Sequence, residues 1–183
     1  MSLPPDPHEI ETRAAKIRLL ILDVDGVLTD GRLLLGDNGV EYKAFDSRDG
    51  HGMKMLAATG VELAIITGRR SQLVAERMAS LGITHVHQGH ASKLPVFEKL
   101  IAELDLTEEQ AAYVGDDVID LGVMARVGLA VAVANAHPLV LERAHWHTAR
   151  DGGRGAAREV CELIMHAHGT LDGVHRDYLT GNA

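Results

Sequence analysis

The 183-residue sequence has little of several residue types on which particular classes of protein depend. Its one cysteine, Cys161, excludes an internal disulfide. Aromatic residues make up only 3% of the chain and the formal net charge is -8, which argues against a nucleic-acid partner, because binding the phosphate backbone requires clustered Lys and Arg. No apolar run reaches the roughly 20 residues that span a bilayer, and residues 1–11 lack the apolar core of a signal peptide. We therefore expect a soluble, cytoplasmic protein with no membrane partner.

Hydrophobic residues make up 46% of the sequence, which is enough to build one buried core. A chain of this length is short for two domains of ordinary size. We expect a single domain over residues 1–183.

Short apolar runs alternate with segments of helical spacing along most of the chain. The predicted strands are Ile17–Leu22, Val61–Ile66, Thr84–His87, Ala111–Val114 and Leu129–Val133. The predicted helices between them are Gly52–Ala58, Ser71–Leu81, Lys93–Leu104 and Val118–Val127. This alternation predicts an α/β fold of the Rossmann-like, doubly wound type, with a parallel sheet and helices on both faces.

Two segments depart from the alternation. Residues 31–45 hold two short strand-like runs around Gly-Asp-Asn-Gly, which predicts a protruding β-hairpin. Residues 169–183 follow an amphipathic helix and are polar, which predicts a loose C-terminal tail. The glycines of residues 152–155 are interpreted as a flexible loop, and a role in subunit contacts is left open.

Polar residues follow four of the predicted strands, at the edge where parallel sheets bind ligands. They are Asp23-Val24-Asp25-Gly26, Thr67-Gly68-Arg69, Gly89 to Lys93, and Gly115-Asp116-Asp117 with Asp120. Any one of these groups is common in strand-to-helix turns, where Asp, Gly and Thr serve as caps. Together they predict an active site at the carboxyl edge of the sheet.

Several carboxylates at one sheet edge repel one another unless a hard cation lies among them, and oxygen ligands suit Mg²⁺. We predict that Mg²⁺ is bound by Asp23, Asp116 and the backbone oxygen of Asp25. Asp117 and Asp120 are left open between direct metal ligands and groups that hydrogen-bond or cap beside the site. Histidine groups raise the alternative of zinc, namely His85, His87 and His90, or His145 and His147, but no thiolate and no third placed ligand accompanies either pair.

The predicted chemistry is phosphoryl transfer from a small anionic metabolite. Asp23 would attack phosphorus and form an aspartyl-phosphate that water later cleaves. Asp25 would protonate the leaving alkoxide and then deprotonate that water. The Thr67 side chain and backbone amides near Val24 and Gly68 would bind the phosphoryl oxygens, while Lys93 balances the negative charge.

These motifs resemble those of the haloacid-dehalogenase superfamily of phosphohydrolases. The resemblance rests on DVDGVLTD at 23–30, ITGR at 66–69, Lys93, and GDDVID at 115–120. Within that superfamily the chain is similar to the 3-deoxy-D-manno-octulosonate 8-phosphate phosphatases of lipopolysaccharide precursor synthesis. That likeness extends through KAFDSRDGHG at 43–52, GITHVHQG at 82–89, VANAHP at 133–138 and GGRGAAREVCELI at 152–164.

The resemblance implies which residues contact the sugar-acid phosphate. They are Asp25, Asp46, Ser47, Arg48, Asp49, Gly50, Lys54, Gly68, Arg69, Arg77 and Lys93. Many relatives have Arg or another residue at the position of Lys54; lysine keeps the charge but not the bidentate geometry.

Two other functions remain open at this stage. One is hydrolysis of a nine-carbon ulosonic acid 9-phosphate by the same chemistry, and the other is a non-catalytic oligomerisation module. No cap domain fits between Asp25 and Thr67 or between Thr67 and Lys93, so we expect a capless oligomer in which the leucines of the hairpin pair across subunits and cover the site. The resemblance implies that this oligomer is a homotetramer.

Overall fold

A computed structural model describes residues 6–182 of the chain. The strands are β1 Leu19–Leu22, β2 Leu34–Leu35, β3 Glu41–Tyr42, β4 Glu62–Thr67, β5 His85–Gln88, β6 Ala111–Gly115, β7 Leu129–Ala132 and β8 Trp146–His147. The helices are α1 Pro7–Ala14, α2 Ser47–Ala58, α3 Gln72–Leu81, α4 Leu94–Glu103, α5 Leu121–Met124, α6 Pro138–Arg143, α7 Ala156–Ala167 and α8 Leu171–Thr180.

Six strands form one parallel sheet in the order β5-β4-β1-β6-β7-β8. β1 lies between β4 and β6, and all four of its residues are buried, as an unbroken apolar run predicts for a central strand. Helix α7 packs on α1 and α2, α3 packs on α2, and α5 packs on α4 and α6. The α/β, Rossmann-like prediction is confirmed.

The hairpin predicted at residues 31–45 is confirmed as a separate two-stranded antiparallel sheet of β2 and β3. It occupies the connection between β1 and α2, where Leu34 pairs with Tyr42 and Leu35 with Glu41. Its turn uses a left-handed backbone at Asn38 and Gly39, as the sequence Gly-Asp-Asn-Gly favours. Within residues 6–182, no cap domain lies between β1 and β5, in agreement with the prediction.

The prediction of a loose tail over residues 169–183 is wrong for the described part. Residues 171–180 form α8, whose Leu171 and Val174 pack against the core. Gly173 lowers the helix propensity of this segment, so its sequence looks more tail-like than it is. Residue 183 and residues 1–5 of the predicted domain lie outside the described part of the chain.

Three short elements have no counterpart among the sequence predictions. Asp6 caps α1 and Pro7 occupies its first turn, while α6 begins at Pro138, so both helices start from capping chemistry rather than from a long apolar face. The two-residue strand β8 forms through its backbone pairing with β7.

Within the described residues, no helix is long and apolar enough to span a membrane.

Candidate active site

The ends of β1, β4 and β6 place the predicted chemical groups side by side. Leu22 is in register with Ile65 of β4 and with Val114 of β6, so Asp23, which directly follows β1, lies between the ends of both neighbours. Thr67 is the last residue of β4 and is buried. The predicted convergence at the carboxyl edge is therefore present in the structure.

Lys93 lies at the centre of the site. Its side chain is fully buried, and its Nζ atom lies 2.7 Å from Asp23 Oδ2 and 2.7 Å from Asp120 Oδ1. The other oxygen of Asp23, Oδ1, accepts a hydrogen bond of 2.7 Å from the Val24 amide. Burial raises the pKa of Asp23, and the Lys93 ammonium opposes that rise. Asp23 is thus held in one orientation beside a single buried cation.

Asp120 uses both carboxylate oxygens to organise the residues around it. Oδ1 accepts hydrogen bonds from Lys93 Nζ and from the Tyr113 hydroxyl, each at 2.7 Å. Oδ2 accepts from the amides of Asp116 and Asp117 at 3.0 and 3.2 Å. With four donors already placed on it, Asp120 acts as a buried positioning group.

Asp117 is exposed and caps the short 3₁₀ turn that follows it, because its carboxylate accepts a 2.7 Å hydrogen bond from the Val118 amide.

Of the three clustered carboxylates, Asp116 is the one that forms no ion pair with the residues that the structure describes. Among residues 6–182, no group donates a hydrogen bond to its carboxylate oxygens, although a carboxylate oxygen from each of Asp23, Asp116 and Asp120 falls within 4.8 Å of the others. Burial, and then the charges of Asp120 and Asp23, raise the pKa of Asp116 to about 7. A divalent cation would relieve this repulsion, so the carboxylates fit a magnesium site.

The backbone after Asp25 approaches Asp116 so closely that only glycine fits. A Cβ atom on Gly26, whose φ is 94°, would lie 2.0 Å from Asp116 Oδ2. The glycine segment 152–155 supports the same loop: the Gly153 amide donates a 2.8 Å hydrogen bond to the Val27 carbonyl, and a Cβ on Gly152 would lie 1.7 Å from the Gly26 oxygen. The flexible-loop interpretation of these glycines is wrong, because they are needed for close backbone packing.

The Asp25 carboxylate lies in a ring of opposite charges rather than in the cluster formed by Asp23, Asp116 and Asp120. Its Oδ1 atom is in contact with Lys43 Nζ, and its Oδ2 atom lies 3.7 Å from Arg69 Nε. Glu41 Oε1 lies 2.9 Å from Arg69 Nη2 and 3.6 Å from Lys43 Nζ, and so closes the ring. Glu41 and Lys43 come from the hairpin, which therefore reaches the site.

The loop predicted to contact substrate, residues 46–50, forms the start of α2. Asp46 caps the helix and accepts a 2.6 Å bond from Arg48 Nη2, which holds the pKa of Asp46 below its ordinary value. Ser47 is exposed. Asp49 is only 1% exposed, and its two oxygens accept hydrogen bonds from the Gly155 and Arg158 amides at 3.2 and 2.8 Å. Asp49 thus ties this loop to the start of α7.

The remaining predicted cations differ in their surroundings. The Arg69 side chain is 46% exposed at the site. The Arg77 guanidinium covers Gly50, where an added Cβ would lie 2.2 Å from its Nη2 atom. At Gly68 an added Cβ would make only ordinary van der Waals contact, 3.9 Å from the His90 carbonyl oxygen. Lys54 is exposed on α2 and forms no ion pair within the described part of the chain. The substrate contacts of all these residues stay predictions.

Comparison with known proteins agrees with this geometry. A haloacid dehalogenase-like hydrolase family model matches residues 79–159. The chain is 54% identical to the 3-deoxy-D-manno-octulosonate 8-phosphate phosphatase KdsC of Salmonella typhimurium over 92% of this chain and 89% of that protein. The chain belongs to this phosphatase family.

Solved structures of the family superpose closely on the chain. The phosphatase of Yersinia pestis has a TM-score of 0.89 and 53% identity, covering 90% of this chain and 89% of that one. The phosphatase of Moraxella catarrhalis has a TM-score of 0.92 and 38% identity, covering 93% of this chain and 98% of that one. That second structure is a complex with a magnesium ion, a phosphate ion and a KDO molecule.

The sequence of this family member did not by itself identify Glu41 and Lys43 as neighbours of Asp25. A signal was present, because residues two apart in an extended segment share a side, and Glu41 and Lys43 flank Tyr42 where the hairpin returns. Tyr113 was also missed: it lies within an apolar run, and only the fold shows that its hydroxyl reaches Asp120.

Proposed function

We propose that this protein is a magnesium-dependent phosphatase that hydrolyses 3-deoxy-D-manno-octulosonate 8-phosphate to the free sugar acid and inorganic phosphate, a step in lipopolysaccharide precursor synthesis. The observation that carries the proposal is the arrangement of Asp23 between buried Lys93 and unneutralised Asp116. Family membership supplies the substrate, since the relatives are phosphatases of this compound.

The Asp23 and Asp116 carboxylates and the Asp25 carbonyl would hold the magnesium ion. When bound, Mg²⁺ neutralises these carboxylates and withdraws charge from the phosphoryl oxygens. Asp120 is not needed as a ligand, because four donors already satisfy it.

Asp23 is the nucleophile in the proposed mechanism. One of its carboxylate oxygens attacks phosphorus, the bond from phosphorus to the C8 oxygen breaks, and an aspartyl-phosphate forms. Asp25 gives a proton to the departing C8 oxygen. It then takes a proton from the water that attacks phosphorus, which releases phosphate and regenerates Asp23.

The phosphoryl oxygens are bound by the Thr67 hydroxyl and by backbone amides near Val24 and at Gly68. Gly68 has no side chain that would keep a phosphoryl group away from its backbone amide. Lys93 touches Asp23 and offsets the negative charge that accumulates when an anionic substrate joins the carboxylates.

The sugar acid is bound by residues around this centre. Arg69 and Arg77 provide positive charge for its carboxylate. Residues 46–50, which include Arg48, provide further polar contacts. Exposed Lys54 supplies a more distant charge.

The working form is a cytoplasmic homotetramer of single-domain subunits. Leu33, Leu34 and Leu35 of the hairpin are 48%, 48% and 70% exposed, and Tyr42 is 61% exposed. An apolar strand edge of this kind favours pairing with another subunit. Such pairing would also cover a site that has no cap domain of its own.

A panel of phosphorylated sugar acids tests the proposal. Phosphate release is measured with and without Mg²⁺ for the eight-carbon 8-phosphate and for a nine-carbon ulosonic acid 9-phosphate, with Asp23→Asn as the control for contaminating phosphatase. Preference for the eight-carbon ester supports the proposal. Preference for the nine-carbon ester would show that the nine-carbon 9-phosphate, and not the eight-carbon 8-phosphate, is the substrate. No phosphate release above that of Asp23→Asn from any ester would favour the oligomerisation module.

A further inference from the structure

Lys43 combines deep burial with closeness to the proposed acid. Its side chain is 2% exposed, while the Asp25 side chain is 19% exposed. Lysine side chains are almost never buried to this extent unless they are paired. The partner in closest contact is Asp25 Oδ1, and Glu41 lies 3.6 Å away. The position of Lys43 is therefore explained by Asp25.

The two oxygens of Asp25 are in different environments. Oδ1 faces the buried Lys43 ammonium, whereas Oδ2 faces the half-exposed Arg69 at the longer distance of 3.7 Å. An ammonium held on Oδ1 stops the carboxyl group from rotating and leaves Oδ2 as the oxygen that can exchange a proton.

Glu41 restrains the two cations of the ring. It lies within 2.9 Å of Arg69 and 3.6 Å of Lys43, so it separates two like charges that would otherwise repel each other beside Asp25. Glu41 lies in β3 and Lys43 directly follows that strand, so one short segment of the hairpin carries both contacts.

We propose that Lys43 is a positioning residue that fixes the Asp25 carboxyl group through Oδ1 and so directs Oδ2 toward the reacting oxygen. The inference rests on the proposed function, in which Asp25 is the general acid and base. The same oxygen then gives the proton to the departing C8 oxygen and later takes one from the attacking water. No contact between Lys43 and the substrate is required.

The test compares two esters that differ in their need for a proton. Cleavage of the sugar phosphate releases the sugar as an alkoxide that must be protonated, whereas cleavage of p-nitrophenyl phosphate releases p-nitrophenolate, which is stable without a proton. Lys43→Met should lower kcat for the sugar phosphate by roughly 10²-fold, the cost of a misplaced catalytic group, and change its KM little. The loss on p-nitrophenyl phosphate should be much smaller, and Lys43→Arg should restore part of the difference.

Three controls separate the possible outcomes. Lys16→Met removes an exposed lysine that precedes β1 at the opposite end of the strand, and should leave both rates unchanged. If Asp25→Asn shows no dependence on the leaving group, the proposed role of Asp25 fails. If Asp25→Asn shows that dependence but Lys43→Met loses both activities equally, or loses only affinity, the positioning role is wrong. If the Met variant does not fold, the same two esters are compared with Lys43→Gln, which keeps a hydrogen-bond donor on the buried side chain.

Discussion

Lys93 Nζ lies 2.7 Å from both Asp23 Oδ2 and Asp120 Oδ1, and it is the buried cation that joins these two buried carboxylates. Removing it would leave two carboxylates in a poorly solvated site. Lys93→Met should therefore lower the free energy of unfolding by about 3–5 kcal/mol, the usual cost of breaking a buried ion pair, and abolish phosphate release. Urea unfolding of the metal-free protein measures the first effect.

The matched control for this prediction is Lys99→Met. Lys99 is 76% exposed in an i,i+4 pair with Glu103 on α4, so the change should cost less than about 1 kcal/mol. Equal stability losses for the two variants would contradict the view that Lys93 is the structural counter-charge of the site.

Asp23→Asn should reduce turnover by at least about 10³-fold, because the amide keeps the shape of the side chain but lacks the anionic oxygen that attacks phosphorus. Circular dichroism should show a folded protein. Wild-type activity in a folded Asp23→Asn protein would contradict the covalent mechanism.

Removal of metal should abolish activity. Chelation followed by dialysis is expected to stop phosphate release, and added Mg²⁺ should restore it, whereas Ca²⁺ should substitute poorly because its larger and looser coordination misplaces nucleophile and phosphate. The test is a titration of each metal into the stripped protein, and undiminished turnover after exhaustive chelation would remove magnesium from the mechanism.

Replacing Leu33 and Leu35 together with Asp should yield smaller species in light scattering and a large fall in activity on the sugar phosphate, because charge on the hairpin opposes pairing between subunits. Leu139→Asp is the control, since Leu139 is 38% exposed on α6, away from the hairpin. Folded monomers with full activity would show that one subunit does not complete the site of another.

Cys161 should not react with thiol reagents in the native protein. The thiol is fully buried, and burial raises its pKa well above the ordinary value, so the thiolate that reacts remains scarce even when the pH is raised to about 9. A dithionitrobenzoate assay should detect the thiol only after unfolding in guanidinium. Stoichiometric reaction of the folded protein at neutral pH would contradict the packing of α7.

The sequence predicted the parts of the molecule that repeat a local pattern. Apolar runs identified the strands around β1, and the polar residues directly after them identified Asp23, Thr67 and Asp116, because the carboxyl ends of parallel strands share one edge. The hairpin was also predicted, since its turn residues tolerate positive φ.

The parts that could not be predicted depend on contacts between distant residues. The pairing of Lys43 with Asp25 requires knowing where the hairpin folds back, which local periodicity does not specify. The burial of Asp49 follows from α7, more than a hundred residues away in the chain, and no pattern around Asp49 distinguishes a surface cap from a buried one.

The hydrogen bonds from the Gly155 and Arg158 amides to Asp49 impose an order on assembly during synthesis. A ribosome makes Asp23, Lys93 and Asp116 well before it reaches residue 155, so a nascent chain can hold every residue of the proposed chemistry while the start of α2 still lacks its partner. Residues 152 and 153, which pack on the loop after Asp23, are also made late. The site is therefore framed only after residues 152–158 have emerged, and a chain released earlier would carry the catalytic groups without the contacts that align them.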